Sequence, residues 1–289
     1  MNTKQPWDGT PFQEIRKGAS FNEIIKFGRL DWEVKRCVLK SETGALILKH
    51  FSIERDTDKF VFDVVGPSYT PVQNTVAIRR FMDICEEGYM TITTIGQLDN
   101  GRRIWVLAKM KETFSVGEEE VQGYMLMSHS HEYGRGTNFY LMPYMQASSS
   151  TIVLPLSGAK SRSRMLHGGA EEKFTTSEVF NAAKTKFLEF AGQTKCMVNT
   201  LMAEDSVREY AMKLFYPAIS DWRVIKEQAQ KMLDVYFQHS HQGSRWDAFQ
   251  SVCAMIDHKT GINREFSLMS NWFGPRAIIK NRALERGVI

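Results

Sequence analysis

Cysteine is scarce in this sequence and poorly spaced for any staple. Cys37, Cys85, Cys196 and Cys253 lie far apart along 289 residues, without the paired spacing of a zinc ribbon or a small disulfide scaffold. No run of about 18 consecutive apolar residues occurs, the length a membrane-spanning helix needs. The opening "MNTKQPWDGTPF" has no basic stretch followed by an apolar one, so no secretory signal is legible. The expectation is a reduced, cytoplasmic chain, neither secreted nor membrane-spanning.

Phosphate-binding loops are missing as well. No Gly-x-x-x-x-Gly-Lys-Ser/Thr stretch exists, which disfavours ATP-driven chemistry. No Gly-x-Gly-x-x-Gly follows a strand and opens a helix; the "GRG" at Gly134–Gly136 stands in a hairpin context, which disfavours a dinucleotide site. No cofactor is expected. Internal repeats, low-complexity tracts and heptad runs are absent too.

The excess of positive charge is small: 37 Lys and Arg against 33 Asp and Glu give a net +4. Local clustering carries more information. Lys26, Arg29, Lys35, Arg36 and Lys40 crowd one segment; Lys160, Arg162 and Arg164 another; Arg276, Lys280, Arg282 and Arg286 a third. Each alone reads as a solvated face. Convergence on one surface would make them a polyanion site.

With 43% hydrophobic residues the chain can bury real cores without staples. "DWEVKRCVLK" alternates with Trp32, Val34, Arg36 and Val38 on one face, and "GALILKHFSI" and "KFVFDVVG" follow as short strands. "NTVAIRRFMDICEEG" then has a helical stripe, with Asn74 as N-cap and Gly88 as stop. Strand patterning resumes in "YMTITTIGQL" and "RRIWVLAKMK", joined through Asp99-Asn100-Gly101, a strong hairpin signal. "VQGYMLMSHS", "TNFYLMPYMQ" and "STIVLPLSG" extend the meander. From about Thr175 the spacing turns helical, with Asp205, Asp221 and Ser244 as N-caps and Pro275 near a helix start. The expected fold class is α+β: an antiparallel β meander with a packed helix, then a helical C-terminal module. The expected boundaries are 1–156, a basic junction at 157–172, and 173–289.

Several catalytic patterns can be assembled and weighed. His129 and His131 are two apart, so on a strand they share a face, but a zinc site needs three or four ligands; His239 and His241 repeat the spacing. No metal site is expected. Ser157-x-x-Lys160 and the "KTG" at Lys259–Gly261 match fragments of the serine acylases, yet neither has the required context. Asp257 and His258 are adjacent, and helix neighbours diverge by about 100°. The expectation is a protein that is not an enzyme.

Single-stranded nucleic acid fits better. On a strand, Lys160, Arg162 and Arg164 form a cationic row about 6.6 Å apart, able to track phosphates. Tyr140 and Tyr144, with Phe139 beside them, could stack bases, although aromatic residues in strands are more often core.

"VVGPSYTPVQN", "GRRIWVLAKM", "YMLMSHSHEYG", "AMIDH" and "WFGPRAIIKNRALE" together resemble the phage/plasmid-like protein family, known mainly as a domain of unknown function (932). The blocks occur in order over most of Val64 to Glu285. The resemblance implies a bacteriophage, prophage or plasmid origin, a bacterial host cytoplasm, and no established catalytic residue. One departure stands out: where family members tend to carry an Arg, Cys and Asn motif on a central strand, this chain has "PYMQASSSTIVLPL". A weaker fold-level analogy links the helix at Asn74 to Glu87 and its neighbouring meander to phage single-strand annealing proteins, which use a β-β-β-α module, a basic groove and no ATP. The resulting expectation is a DNA-binding protein that anneals single strands in recombination or replication. Its DNA-binding side chains would be Lys160, Arg162, Arg164, Lys35, Arg36, Arg102, Arg103, Tyr140, Tyr144, Lys280 and Arg282. Its partners would be single-stranded DNA and further copies of itself, in a ring or filament. Binding to a host protein and an unrecognised hydrolase are the alternatives.

Overall fold

The computed structural model describes residues 5–8, 10, 12–156, 164–165, 175–216, 219–239, 243–258 and 263–288. Its spine is an antiparallel sheet built from β1 (Phe12–Glu14), β5 (Thr91–Leu98), β6 (Arg103–Val116), β7 (Glu119–Ser130) and β8 (Gly136–Met145), in that spatial order. The outer side of β8 pairs with three short strands, β9 (Ser150–Thr151), β10 (Leu154–Pro155) and β11 (Arg164–Met165). A second, three-stranded sheet has the order β2 (Val34–Lys40), β3 (Leu46–Arg55), β4 (Val61–Val65). The fold class is α+β, as the sequence indicates.

The central strands are buried on both faces. Ile104, Val106, Ala108, Met125, Met127 and Phe139 join the larger core, while Trp105, Leu107, Leu126 and Met142 on the opposite face join a smaller one with Trp7 and Trp272. The larger core is covered by α2 (Asn74–Glu87) and α3 (Thr176–Val198). It runs without a break from Ile15 to Leu284, so the N-terminal strands and C-terminal helices share one interior across the 157–172 junction. The smaller core is closed by α7 (Arg264–Phe273), whose Trp272 stacks edge-on against Trp105 at 5.2 Å.

Local chemistry sets the element ends. The β5–β6 turn puts Asp99, Asn100 and Gly101 at positive φ, as an Asn-Gly hairpin requires. Gly88 ends α2, Ser244 caps α6 (Arg245–Asp257), and Asp221 accepts from the Arg223 amide at the start of α5 (Trp222–His239). Two expected caps are corrected. Gln73, not Asn74, precedes α2, because Asn74 is fully buried and engaged with His131. Ala203, not Asp205, precedes α4 (Glu204–Phe215); Asp205 instead sits in the first turn, where a carboxylate suits the helix dipole.

The short helix α1 (Phe21–Phe27) begins with a capping box between Ser20 and Glu23. The Ser20 amide, and then the Arg16 guanidinium, pull the Glu23 carboxyl down from 4.5 to about 2. A depressed folded pKa gives stability that is complete above the unfolded value and disappears as pH falls through the folded one. The expected result is that Glu23→Gln lowers Tm at neutral pH and that its difference from wild type closes between about pH 4.5 and 2. A constant difference across that window would show that the carboxylate is not the stabilising group.

Candidate nucleic-acid interface

One end of the main sheet collects turns from distant parts of the sequence. The β5–β6 turn contributes Asn100 and Arg102, the β7–β8 turn contributes Tyr133 and Arg135, and the β3–β4 turn contributes Arg55 and Lys59. They are tied together by backbone acceptors at strand ends, which need donors once water is displaced. Arg102 donates to the Phe62 carbonyl at 2.6 Å and the Val61 carbonyl at 3.2 Å. Arg55 donates to the Asn100 carbonyl, with its guanidinium 4.8 Å from the Trp32 ring centroid and 5.4 Å from Phe60 and Phe62. The Tyr133 amide donates to Asp63 at 2.7 Å, linking the β7–β8 turn to the small sheet.

What this end offers solvent is an aromatic ring beside cations. Tyr133 is 66% exposed and lies 6.0 Å from Tyr69; burial pushes the Tyr69 phenol up. Arg135 is exposed and pairs with Glu132 at 3.2 Å. Lys59 is exposed on the β3–β4 turn, and Lys35 is exposed with loose contacts of 3.7 Å to Glu33 and 3.8 Å to Asp56. Carboxylates therefore interleave with the cations, in ion pairs of small net worth at an exposed surface.

The expected DNA-binding residues divide sharply. Lys160 and Arg162 lie outside the described residues. Arg164 opens β11, opposite Asn138 of β8 and two residues from Gly136 in the β7–β8 turn. Two of the three basic segments therefore reach this end, through Lys35 and Arg164. The third does not, and its residues are corrected. Lys280 has no exposed surface; its Nζ donates to Asp257 at 2.8 Å and to the Thr151 carbonyl at 2.7 Å. Arg282 donates to the Leu214 and Tyr216 carbonyls at 2.9 and 3.2 Å, closing the end of α4.

Five more assignments change because the side chain is engaged by the protein itself. Arg36 donates to the Pro67 and Tyr69 carbonyls and lies over Phe51. Arg102 is held as described above. Arg103 is buried, 4.5 Å over the Phe273 ring and 3.8 Å from Glu132, and its desolvation lowers its pKa. Tyr144 is buried in the smaller core against Trp7 and Tyr124. Tyr140, half-buried, packs 6.0 Å from Phe273.

The histidine pair is also internal. His129 meets Thr137 at 2.8 Å and the Val72 carbonyl at 3.2 Å, and His131 meets the Asn74 side chain at 2.9 Å. Among the described residues no group of three or more His, Cys, Asp or Glu could hold a metal ion. His241, Ser157 and Lys259–Gly261 lie outside the described residues. No described helix is long and apolar enough to cross a membrane.

The family described as Domain of unknown function (DUF932) matches residues 61–279. The chain belongs to the DUF932 family. No curated protein and no solved structure matches it significantly. The matched segment of this DUF932 chain starts at β4, so β5 to β8 with Tyr133 and Arg135 fall within it, whereas β2, β3 and Lys35 precede it. Tyr133 and Arg135 are not among the residues the sequence singles out, because "HEYGRG" reads only as a turn. The available signal was an aromatic and an arginine flanking the first glycine of a tight turn, at the tip where side chains must face solvent.

Proposed function

We propose that this DUF932 chain is an ATP-independent single-stranded DNA-binding and annealing protein of phage or prophage origin, acting in recombination or replication. The observation that carries this reading is the meeting of Tyr133, Arg135, Lys59, Lys35 and the β11 segment with Arg164 at one end of the fold. The three-stranded β2-β3-β4 sheet followed directly by α2 also supports it, having the β-β-β-α order of the annealing proteins named above.

The chemistry suits a transient grip. Tyr133 gives any base a π-face, which is indifferent to sequence. Cations that already have carboxylate partners hold phosphates loosely, and phosphate contacts leave base edges free to find a complement. Such a surface tolerates strand release, which annealing requires.

Fluorescence anisotropy with a labelled oligonucleotide tests this. Binding should weaken linearly in log salt, with about 0.7 of slope per phosphate contacted. Tyr133→Ala should cost about 1–3 kcal/mol, and Lys160, Arg162 and Arg164 changed together to alanine should reduce the slope by about 2. Wild-type affinity no better than millimolar at low salt, or affinity indifferent to both variants, would sink the reading.

A further inference from the structure

The β2–β3 hairpin is an arm without a seat. Its turn is well built: the Ser41 amide donates to the Ala45 carbonyl at 2.8 Å and Gly44 takes φ +85°. Yet every residue from Glu42 to His50 is exposed, including Leu46 at 59%, Ile47 at 41% and Leu48 at 77%, with Val38 opposite at 57%. The register explains how so much aliphatic surface faces outward. Val38 pairs with Phe51 and Lys40 with Leu46, so β3 carries extra residues there, and Lys49 takes φ +65° to accommodate them. Such a bulge re-aims side chains, here toward solvent beside Lys40 and Lys49.

The opposite end of the molecule holds a groove. It measures about 1180 Å³ and opens between the β6–β7 turn and helices α4, α5, α6 and α8 (Pro275–Val288), with an apolar floor that includes Phe215, Ile219, Val224 and Ile279. That volume exceeds the usual ~300–1,000 Å³ of small-molecule pockets and suits a polypeptide. Among the described residues its lining has four carboxylates, Glu118, Glu119, Asp234 and Asp247, and two cations, Lys231 and Arg276. Glu119 is fixed by the Ala147 amide at 2.7 Å and Gln250 at 2.7 Å, and Glu118 and Asp234 are exposed at the rim.

We propose that the aliphatic tip of the β2–β3 arm docks in the α4–α5–α6–α8 groove of a second copy of this chain. Charge complementarity selects this occupant: a tip with two lysines against Glu42 meets a groove whose described lining carries two excess carboxylates. Length makes the contact intermolecular. The arm spans about 33 Å from Val34 to Gly44 at ~3.3 Å per residue, whereas the fourteen residues of β6 separate its base from the groove by about 45 Å. Tip and groove are different surfaces, so the contact is heterologous and each copy leaves one of each open, which builds a ring or a filament. The inference stands apart from nucleic-acid binding, since neither surface includes Tyr133, Arg135 or Arg164.

The test is the oligomeric state of the full chain by light scattering coupled to size exclusion. Wild type should associate with rising concentration. Leu48→Asp at the tip and Val224→Asp in the groove should each weaken association at least about tenfold, with unchanged circular dichroism. An equimolar mixture of the two variants should stop at a dimer, because it retains one good tip and one good groove. A wild type that stays monomeric up to millimolar concentration, indifference to Leu48→Asp, or failure of the mixture to dimerise would each overturn the proposal. Val224→Asp altering the fold would leave the tip variant and Glu118→Lys, at an exposed rim position, to decide it by the same measurement.

Discussion

Replacing Lys280 by methionine is expected to lower the stability of the folded chain by about 3–5 kcal/mol, and Tm by roughly 10 °C. The ammonium and the Asp257 carboxylate are both fully shielded from solvent. Removing the cation leaves a buried anion with, among the described residues, only the Thr151 amide at 2.9 Å and Asn271 at 3.1 Å as donors. It also leaves the Thr151 carbonyl without the Lys280 donor. Changing Asp257 to leucine in the same chain should recover part of the loss, because a buried pair replaced by apolar groups often costs less than a buried pair broken. Urea denaturation of the two single variants and the double variant measures the coupling. A single variant within about 1 kcal/mol of wild type, well under the usual cost of breaking such a pair, would show that the network is dispensable.

The second large effect belongs to Trp272. Its ring lies 5.2 Å from Trp105 and 6.1 Å from Trp7, and its indole N–H donates to the Thr151 hydroxyl at 3.3 Å. Trp272→Ala should cost about 3–5 kcal/mol, the transfer of a large ring plus the cavity it leaves. Trp272→Phe retains most of the packing and loses the hydrogen bond, so it should recover more than half of the loss. A midpoint of urea denaturation shifted no further by alanine than by phenylalanine would mean that the ring volume is not what holds α7 against the sheet.

Much of the framework was legible because burial leaves a period. The alternation through β2 to β8 and the stripes of α2 to α6 announce themselves, and "DNG" marks its hairpin. The alternation misleads where an element leaves the body: Trp32 and Val34 are buried, but Arg36 and Val38 on the same expected face are exposed, because β2 runs out into the arm. The basic residues were harder. Lys280 looked like a surface cation in a basic tail, although Ala277, Lys280, Ala283 and Leu284 share the i, i+3, i+4 spacing of a buried helix face and all are buried. A lysine on such a stripe signals a buried partner, and Asp257, 23 residues earlier, could be found only by folding. Arg36, Arg102 and Arg282 escaped for a related reason. Their partners are backbone carbonyls in a loop or at element ends, and any residue supplies a carbonyl, so no sequence pattern marks them.

The position of β2 at the outer side of the three-stranded sheet gives its cations one more consequence. An outer strand exposes backbone donors and acceptors that can template the addition of another strand, and charged side chains there oppose it. Lys35 and Lys40 stand along that margin, next to one of the most exposed aliphatic stretches in the chain. Such cations oppose strand addition at an edge, so neutralising both should shorten the lag before aggregation of an otherwise folded protein, as followed by thioflavin fluorescence.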